Sequence, residues 1–137
     1  MVNPIEFRLG NYMMQKQNHR IVTVPCGYSQ FELMSKGGLK DFFPVVLKAE
    51  VLTACGFSEN KDYALLPTAR QFILVLPVNG SQQHSIHAFI KSNGECFARA
   101  MQENNASSNP VYHLHQLQNL YYALTGEEMG IILNFKF

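Results

Sequence analysis

Histidines and cysteines are the residues of this chain that could bind a metal ion or act as nucleophiles. The close histidine pairs are His84 with His87 and His113 with His115. Positions i and i+3 of a strand point to opposite faces, and positions i and i+2 of a helix lie about 200° apart. Neither spacing directs two rings at one metal ion, and no Cys-x-x-Cys motif accompanies them. We therefore expect no metal site, with His84 and His87 partly exposed at a sheet edge and His113 bordering the core.

The cysteines give no sign of a disulfide framework or of a nucleophile. Cys26, Cys55 and Cys96 are odd in number and far apart, which is typical of reduced thiols in the cytoplasm. Cys26 and Cys55 each precede a glycine, but neither belongs to a recognisable Cys/His motif. A small buried thiol is the usual role of such residues. We expect a cytoplasmic protein in which no cysteine is catalytic.

Carboxylates and glycines add no catalytic or cofactor signature. The acidic pair Glu127-Glu128 follows the end of a predicted helix, where the helix dipole does not favour negative charge. Gly37-Gly38 lacks the following Lys and Ser/Thr of a phosphate-binding loop. The sequence therefore predicts no catalytic residue and no cofactor.

The strongest structural signal is a helix near the end of the chain, over about 111–125. Its apolar residues recur at helical spacing and fall within one arc of the helical wheel. They are Leu114, Leu117, Leu120, Tyr121 and Leu124. Gly126 follows at the position where a left-handed residue commonly ends a helix. This pattern predicts a helix that packs on the core through one face.

The same stretch carries a resemblance to a known family. HLHQLQNLYYALTGEEM, at 113–129, resembles the "HQLQNLYFALTGEEL" signature of small uncharacterised proteins from Bacteroides-type bacteria and their prophages. Those proteins also begin with an "LRIGN" stretch, to which Phe7–Asn11 (FRLGN) is similar, and often carry a "CGF" segment like 55–57. The resemblance implies a compact domain of prophage or mobile-element origin, and it implies no particular activity or ligand.

The polar side of this helix offers the candidate binding residues. His115, Gln118, Asn119 and Tyr122 follow one another at i, i+3, i+4 and i+7. All four can form hydrogen bonds, and Tyr122 can also stack. If this side is exposed, it is a recognition surface; if it is covered, these residues tie the helix to a sheet or to loops.

Two further sequence patterns predict the remaining helix and the strands. Pro44 to Cys55 has helical spacing, which predicts a second helix over about 44–55 that Gly56 ends. Alternation of apolar and polar residues predicts strands elsewhere, and Asn93-Gly94 predicts a tight hairpin turn. The predicted strands are Ile5–Leu9, Tyr12–Met14, Arg20–Val24, Tyr28–Leu33, Tyr63–Leu66, Phe72–Leu76, Ser85–Lys91, Glu95–Met101 and Ile131–Phe137. The expected fold is α+β, with antiparallel sheet, a small β-rich N-terminal part, and one domain over 1–137.

Composition limits the function. The chain has 137 residues, 47% of them hydrophobic, and its net charge of +1 argues against tight binding through phosphates. No uncharged apolar stretch approaches the roughly 18 residues of a membrane span, and no signal pattern opens the chain.

Three functions remain open. The leading hypothesis is a non-enzymatic accessory protein that binds another protein or itself. One alternative is a weak single-stranded nucleic-acid-binding module that uses Arg8, Lys16 and Arg20 near Tyr12. The other is an enzyme whose active-site residues are dispersed along the chain.

Overall fold

The computed structural model describes residues 2–61, 69–77, 84–102 and 105–132. Within them the chain forms α-helices and two antiparallel sheets, which confirms the α+β class. The helices are α1 (Tyr28–Leu33), α2 (Ala49–Ala54) and α3 (Leu114–Thr125). The strands are β1 (Tyr12–Gln17), β2 (Arg20–Pro25), β3 (Phe42–Phe43), β4 (Ser58–Glu59), β5 (Arg70–Val75), β6 (His84–Ile90), β7 (Cys96–Gln102) and β8 (Asn105–Ala106).

The N-terminal sheet has three strands in the order β2-β1-β3. The predicted hairpin is confirmed, and its strands continue to a two-residue turn at Asn18 and His19, which have φ values of 47° and 67°. Positive φ at both central residues is the geometry of a type I′ turn, whose twist suits an antiparallel hairpin. The turn thereby sets the register between β1 and β2.

The second sheet has five strands in the order β4-β5-β6-β7-β8. The three strands predicted between 72 and 101 are confirmed, with ends that differ by one or two residues. At the predicted Asn93-Gly94 turn only Gly94 takes a positive φ, of 89°. The Lys91 N–H donates to the Glu95 carbonyl at 2.8 Å and closes the loop.

Strand β6 is the third of the five strands and lies in the middle of the sheet. The prediction that His84 and His87 lie at a sheet edge is therefore wrong.

The main core lies between one face of the five-stranded sheet and the helices α2 and α3. Leu114 and Leu117 of α3 are fully buried, and the other apolar residues of the predicted stripe pack partly buried against the same core. Ile86, Ala88 and Ala98 provide the facing surface of the sheet. The stripe is thus confirmed, although α3 begins at Leu114 rather than near 111.

The predicted helix over 44–55 is shorter in the structure, because its first residues are extended. The Leu47 N–H donates to the Tyr112 carbonyl at 3.1 Å, and the Leu114 N–H donates to the Val45 carbonyl at 2.8 Å. These bonds pair the segment before α2 with the segment before α3. Helix α2 starts only at Ala49, and Gly56 follows it with a φ of 94°.

A second, smaller core lies on the other face of β1. Met13 and Phe42 are buried there with Cys26, Phe7 and Met34, while Tyr12 and Met14 on the opposite face of β1 pack toward the main core. Successive residues of a strand point to opposite faces, so β1 contributes to both cores. The three-stranded sheet therefore has packing on its two faces.

Two predicted strands are wrong. Ile5–Leu9 contains the end of a 3-10 turn, Pro4–Glu6, which proline favours at its first position. Tyr28–Leu33 is the helix α1, where the Gln30 side chain accepts the Gly27 N–H at 2.9 Å and so satisfies a donor that the helix start leaves free.

Two other predictions fall largely outside the described residues. Tyr63–Leu66 lies wholly outside them, and so do residues 133–137 of the predicted terminal strand. Ile131 and Ile132 are described but are not in a strand, and the Ile132 N–H donates to the Ala54 carbonyl at 3.0 Å. None of the helices in the described part of the chain has the length and apolar character needed to cross a membrane.

Candidate binding surfaces

The polar side of α3 is largely covered by residues 6–12 of the N-terminal segment. We refer to the contacts between residues 6–12 and this side of α3 as the clasp. His115 and Gln118 are each 2% exposed, whereas Tyr122 is 43% exposed. The structure thus brings the four candidate residues together, but it places most of their polar groups against the protein itself.

Gln118 holds the start of the three-stranded sheet. Its Oε1 accepts the Tyr12 N–H at 2.8 Å, and its Nε2 donates to the Gly10 carbonyl at 3.4 Å. Both backbone groups precede or begin β1, where the sheet supplies no partner for them. A buried amide that satisfies two backbone groups stabilises the fold, because each would otherwise be desolvated without a hydrogen bond.

Asn119 and Tyr122 hold Arg8. Asn119 Oδ1 accepts from Arg8 Nε at 2.7 Å, and Asn119 Nδ2 donates to the Glu6 carbonyl at 2.8 Å. The Arg8 guanidinium lies 4.4 Å from the centroid of the Tyr122 ring and forms an ion pair with Glu128 at 2.7 Å. Arg8 is therefore fixed by an amide, an aromatic ring and a carboxylate.

The ring of His115 contacts Phe7 and Glu6 of the N-terminal segment. The ring stacks on Phe7 with centroids 3.9 Å apart, and Nε2 lies 2.9 Å from Glu6 Oε1. Burial lowers the pKa of His115 more than Glu6 raises it, so the neutral ring donates its Nε2–H to the carboxylate. The hydrogen bond from His115 lowers the pKa of Glu6. Within the described residues Nδ1 of His115 is buried and has no hydrogen-bond partner.

The clasp joins two stretches that are distant in the sequence. Residues 7–11 and the helix that follows His113 lie about a hundred residues apart in sequence, yet Arg8 and Gly10 bond directly to Asn119 and Gln118. The arrangement matches the covered alternative, in which these side chains tie the helix to the sheet. In the same arrangement Arg8 is bonded to Asn119 and Glu128, and the Tyr12 side chain packs partly buried against the main core.

Among the described residues, the side chains with catalytic potential form no cluster, and the cysteine thiols are buried. Burial raises the pKa of Cys26 to about 11, of Cys55 to about 12 and of Cys96 to about 11, so these thiols are protonated near neutral pH. In the described ranges, no three His, Cys, Asp or Glu side chains are grouped closely enough to hold a metal ion. The rings of His113 and His115 do stack, with centroids 5.8 Å apart, because His113 is extended and precedes the helix.

The outer edge of β2 is the first candidate binding surface. The tight turn makes Gln17 and Arg20 a hydrogen-bonded pair, so Arg20, Val22 and Val24 direct their backbone groups toward β1. The N–H and C=O groups of Ile21 and Thr23 consequently point outward. No backbone hydrogen bond within the described residues reaches this side of β2, and Ile21 is 58% exposed.

The edges of the five-stranded sheet are short or covered. Its edge strands, β4 and β8, have two residues each. Beyond β8, the Ala98 N–H donates to the Val111 carbonyl at 2.9 Å, and Ser107 bonds to Ala100. Short edge strands are one way in which proteins avoid unwanted strand pairing.

The outer face of the five-stranded sheet, opposite the main core, is the second candidate surface. Phe89 and Phe97 are directly opposite each other on β6 and β7, with ring centroids 5.4 Å apart, and Tyr112 lies 6.4 Å from Phe97. Lys91 Nζ lies 5.7 Å and Arg99 Cζ lies 5.1 Å from the Phe97 centroid. We call these five residues the aromatic face. Sequence reasoning missed them, although Phe89 and Phe97 each lie four positions from Asn93, which is the signal of a facing pair.

A row of polar side chains crosses the same face of the sheet. Asn60 Nδ2 donates to Gln71 Oε1 at 2.8 Å, Gln71 Nε2 lies 3.0 Å from His87 Nδ1, and His87 Nε2 lies 3.0 Å from Ser85 Oγ. Burial lowers the pKa of His87, which keeps the ring neutral. With Gln71 as donor to Nδ1, the proton is on Nε2 and is donated to Ser85. The row thereby fixes the orientation of His87 beside Phe89.

Comparisons of this chain with models of protein families, with curated proteins and with solved structures find no match.

Proposed function

We propose that the protein is a non-enzymatic accessory module that binds another protein, and that the partner adds an extended segment beside β2. The observation that carries this proposal is the open edge of β2, with the backbone groups of Ile21 and Thr23 directed outward. Strand addition of this kind obtains affinity from main-chain hydrogen bonds and specificity from alternate side chains.

The composition of β2 supports pairing. The strand reads RIVTVP, which is rich in the β-branched residues that suit extended structure. Edge strands that resist pairing usually carry a central charge, a central proline or a bulge. Here the charge and the proline, Arg20 and Pro25, stand at the two ends and leave Ile21–Val24 unprotected.

Charge indicates the chemistry of the partner segment. The tip of the β1–β2 hairpin exposes Lys16, His19 and Arg20, and no acidic residue occurs between Phe7 and Phe31. A segment that pairs with β2 and carries Asp or Glu beside the tip would be favoured electrostatically. We therefore propose an extended partner segment with flanking acidic residues, encountered in the cytoplasm and consistent with an accessory role in a prophage or mobile element.

The test uses a proline whose position decides its effect. In Thr23→Pro the lost N–H is an outward one, so the sheet keeps its own hydrogen bonds while an added strand loses a donor. In the matched control Val22→Pro the lost N–H is one that bonds to β1, so this variant should be clearly destabilised. The readouts are thermal melting and capture of partners from host lysate.

We expect Thr23→Pro to melt near the wild-type temperature and to lose the captured partner. Amide hydrogen exchange on the wild-type complex should then show new protection at Ile21 and Thr23, with Val22 and Val24 protected already in the free protein. Capture of the same partner by Thr23→Pro and by the wild type, with no protection of these amides, would refute the proposal. Light scattering across a concentration series shows whether the partner is a second copy.

A further inference from the structure

We infer that the aromatic face of the five-stranded sheet binds single-stranded nucleic acid. This surface is on a different sheet from the β2 edge, so the inference does not rest on the proposed protein partner. It also differs in place from the N-terminal group of Arg8, Lys16 and Arg20, in which Arg8 is bonded to Asn119.

The rings are arranged as a stacking platform. Phe89 and Phe97 lie side by side on neighbouring central strands, and Tyr112 continues the row beyond Phe97. All three helices that the structure describes lie elsewhere, since α2 and α3 pack on the opposite face and α1 packs in the second core. Tyr112 is 42% exposed, and the side chains of Phe97 and Arg99 are only partly buried. Bases of a single strand can stack on such rings regardless of their identity.

The cations beside the rings supply charge complementarity. Arg99 and Lys91, whose ammonium also pairs with Glu95 at 3.7 Å, lie beside Phe97, and their charges can meet phosphate oxygens of a bound strand. Arg99 Nε is buried without a hydrogen-bond partner in the described part of the chain. No ion pair among those residues includes this guanidinium. The terminal nitrogens of the Arg99 guanidinium, rather than the buried Nε, can donate to a phosphate oxygen of a bound strand.

The observations favour a single strand over two other occupants. A duplex hides the faces of its bases, so it could not use the ring platform. An apolar protein surface would bury Arg99 without an acceptor, which is unfavourable. With Lys91 and Arg99 as the described cations beside the rings, binding should depend weakly on salt. Two contacts to a single strand give a slope of about −1.4, or a loss of about sevenfold in affinity between roughly 50 and 200 mM salt.

The experiment measures fluorescence anisotropy of a labelled oligothymidine of about 12 nucleotides, with a duplex of the same length as competitor. Phe97→Leu keeps an apolar side chain and loses the ring, and we expect affinity to fall about tenfold. Arg99→Gln should weaken binding and reduce the salt slope by about 0.7. Lys36→Gln makes the same charge change on an exposed residue near α1, and its affinity should stay within about twofold of the wild type.

Thermal melting checks that each variant is folded, and Tyr112→Leu replaces Phe97→Leu if the latter is not. The inference is overturned if the wild type does not bind at low salt, if the duplex competes as well as the single strand, or if Lys36→Gln and Arg99→Gln weaken binding equally. Thr23→Pro should bind the oligonucleotide normally. Loss of protein capture in that variant, with nucleic-acid binding retained, separates this inference from the proposed function.

Discussion

The two sheets present different parts to a partner: an edge strand in the three-stranded sheet and a face in the five-stranded sheet. The three-stranded sheet is packed on both faces, by Met13 toward the second core and by Tyr12 and Met14 toward the main core, but no strand of the described residues pairs with the outer edge of β2. The five-stranded sheet has short strands at its edges and the main core on one face, while its other face presents aromatic rings and cations.

This difference determines what each sheet can recognise. An open edge offers main-chain donors and acceptors, and these suit another extended polypeptide. A sheet face offers side chains, and rings with adjacent cations suit bases and phosphates. The two proposals therefore assign a different class of partner to each sheet.

Helix α3 contacts the two sheets through different sides. Its apolar side, with Leu114 and Leu117, packs toward the five-stranded sheet. Its polar side, with Gln118 and Asn119, bonds to the segment that begins the three-stranded sheet. Substitutions on the two sides of α3 can therefore test the comparison, because one side depends on apolar burial and the other on hydrogen bonds.

The largest effect is expected for Leu117→Asp. The substitution places a carboxylate without a partner at a position that is 0% exposed in the main core. A loss of more than about 4 kcal/mol follows from burying an unpaired charge and removing a core side chain. Circular dichroism and calorimetry should show no cooperative transition. A cooperative melt near the wild-type temperature would mean that the apolar side of α3 does not hold the five-stranded sheet.

A smaller loss is expected when the clasp is broken. Gln118→Leu leaves the Tyr12 N–H and the Gly10 carbonyl without their partner, and Asn119→Ala removes two bonds to residues 6–8. Each should lower the free energy of unfolding by about 1–3 kcal/mol. Tyr122→Ala, which loses a contact between an exposed ring and Arg8, should lower it by about 0.5–1 kcal/mol.

Urea unfolding measures these three variants, with Tyr122→Phe as the control that keeps the ring. If Asn119→Ala and Tyr122→Ala abolish partner binding and leave stability unchanged, the polar side of α3 is a recognition surface and the clasp is incidental.

Acid should destabilise the protein through two histidines, His115 on α3 and His87 on the five-stranded sheet. Burial lowers the pKa of His115, beside the clasp, and of His87, on the five-stranded sheet. An unfolded histidine takes up a proton near pH 6.5, whereas these folded rings resist it. Below about 6.5 the unfolded state therefore binds more protons, so stability falls as pH decreases toward the folded-state pKa values.

Urea unfolding at several pH values between about 7.5 and 5 measures this dependence. His115→Gln keeps a donor for Glu6 but does not titrate, so it should flatten the curve, and His87→Gln should do the same independently. An increase in stability on acidification would contradict both assignments.

Small effects of opposite sign are expected in the two hairpin turns. His19 adopts a φ of 67° in the turn of the three-stranded sheet, which glycine adopts more easily, so His19→Gly should stabilise by about 0.5 kcal/mol. Gly94 has a φ of 89° and open space where a Cβ atom would lie, so Gly94→Ala should destabilise by about 1 kcal/mol through backbone strain alone. Thermal melting of both variants tests the sign.

Elements with a long or unambiguous pattern could be predicted from the sequence. The stripe of α3 extends over three turns, and it locates the 12 residues of the helix to within a few positions. Asn93-Gly94 predicts the β6–β7 hairpin because glycine tolerates the required φ. Helix α1 has only six residues, too few for a period to be recognised, and its start depends on the side chain of Gln30.

The environment of the candidate site could not be predicted, because it depends on contacts distant in sequence. The polar residues of α3 have the pattern of a solvated face, and nothing local shows that residues 6–12 cover them. The aromatic face depends on strand register, since Phe89 and Phe97 meet only when β6 and β7 pair as they do. In both cases the tertiary structure determines which polar or aromatic side chains are satisfied.

The three buried thiols make the molecule a reporter of its own local unfolding. Cys26 belongs to the second core, and Cys55 and Cys96 belong to the main core. Because their pKa values are raised to about 11 or 12, alkylating reagents can react at an appreciable rate only after a core opens. Mass-resolved labelling kinetics would therefore show whether the two cores open together or one before the other.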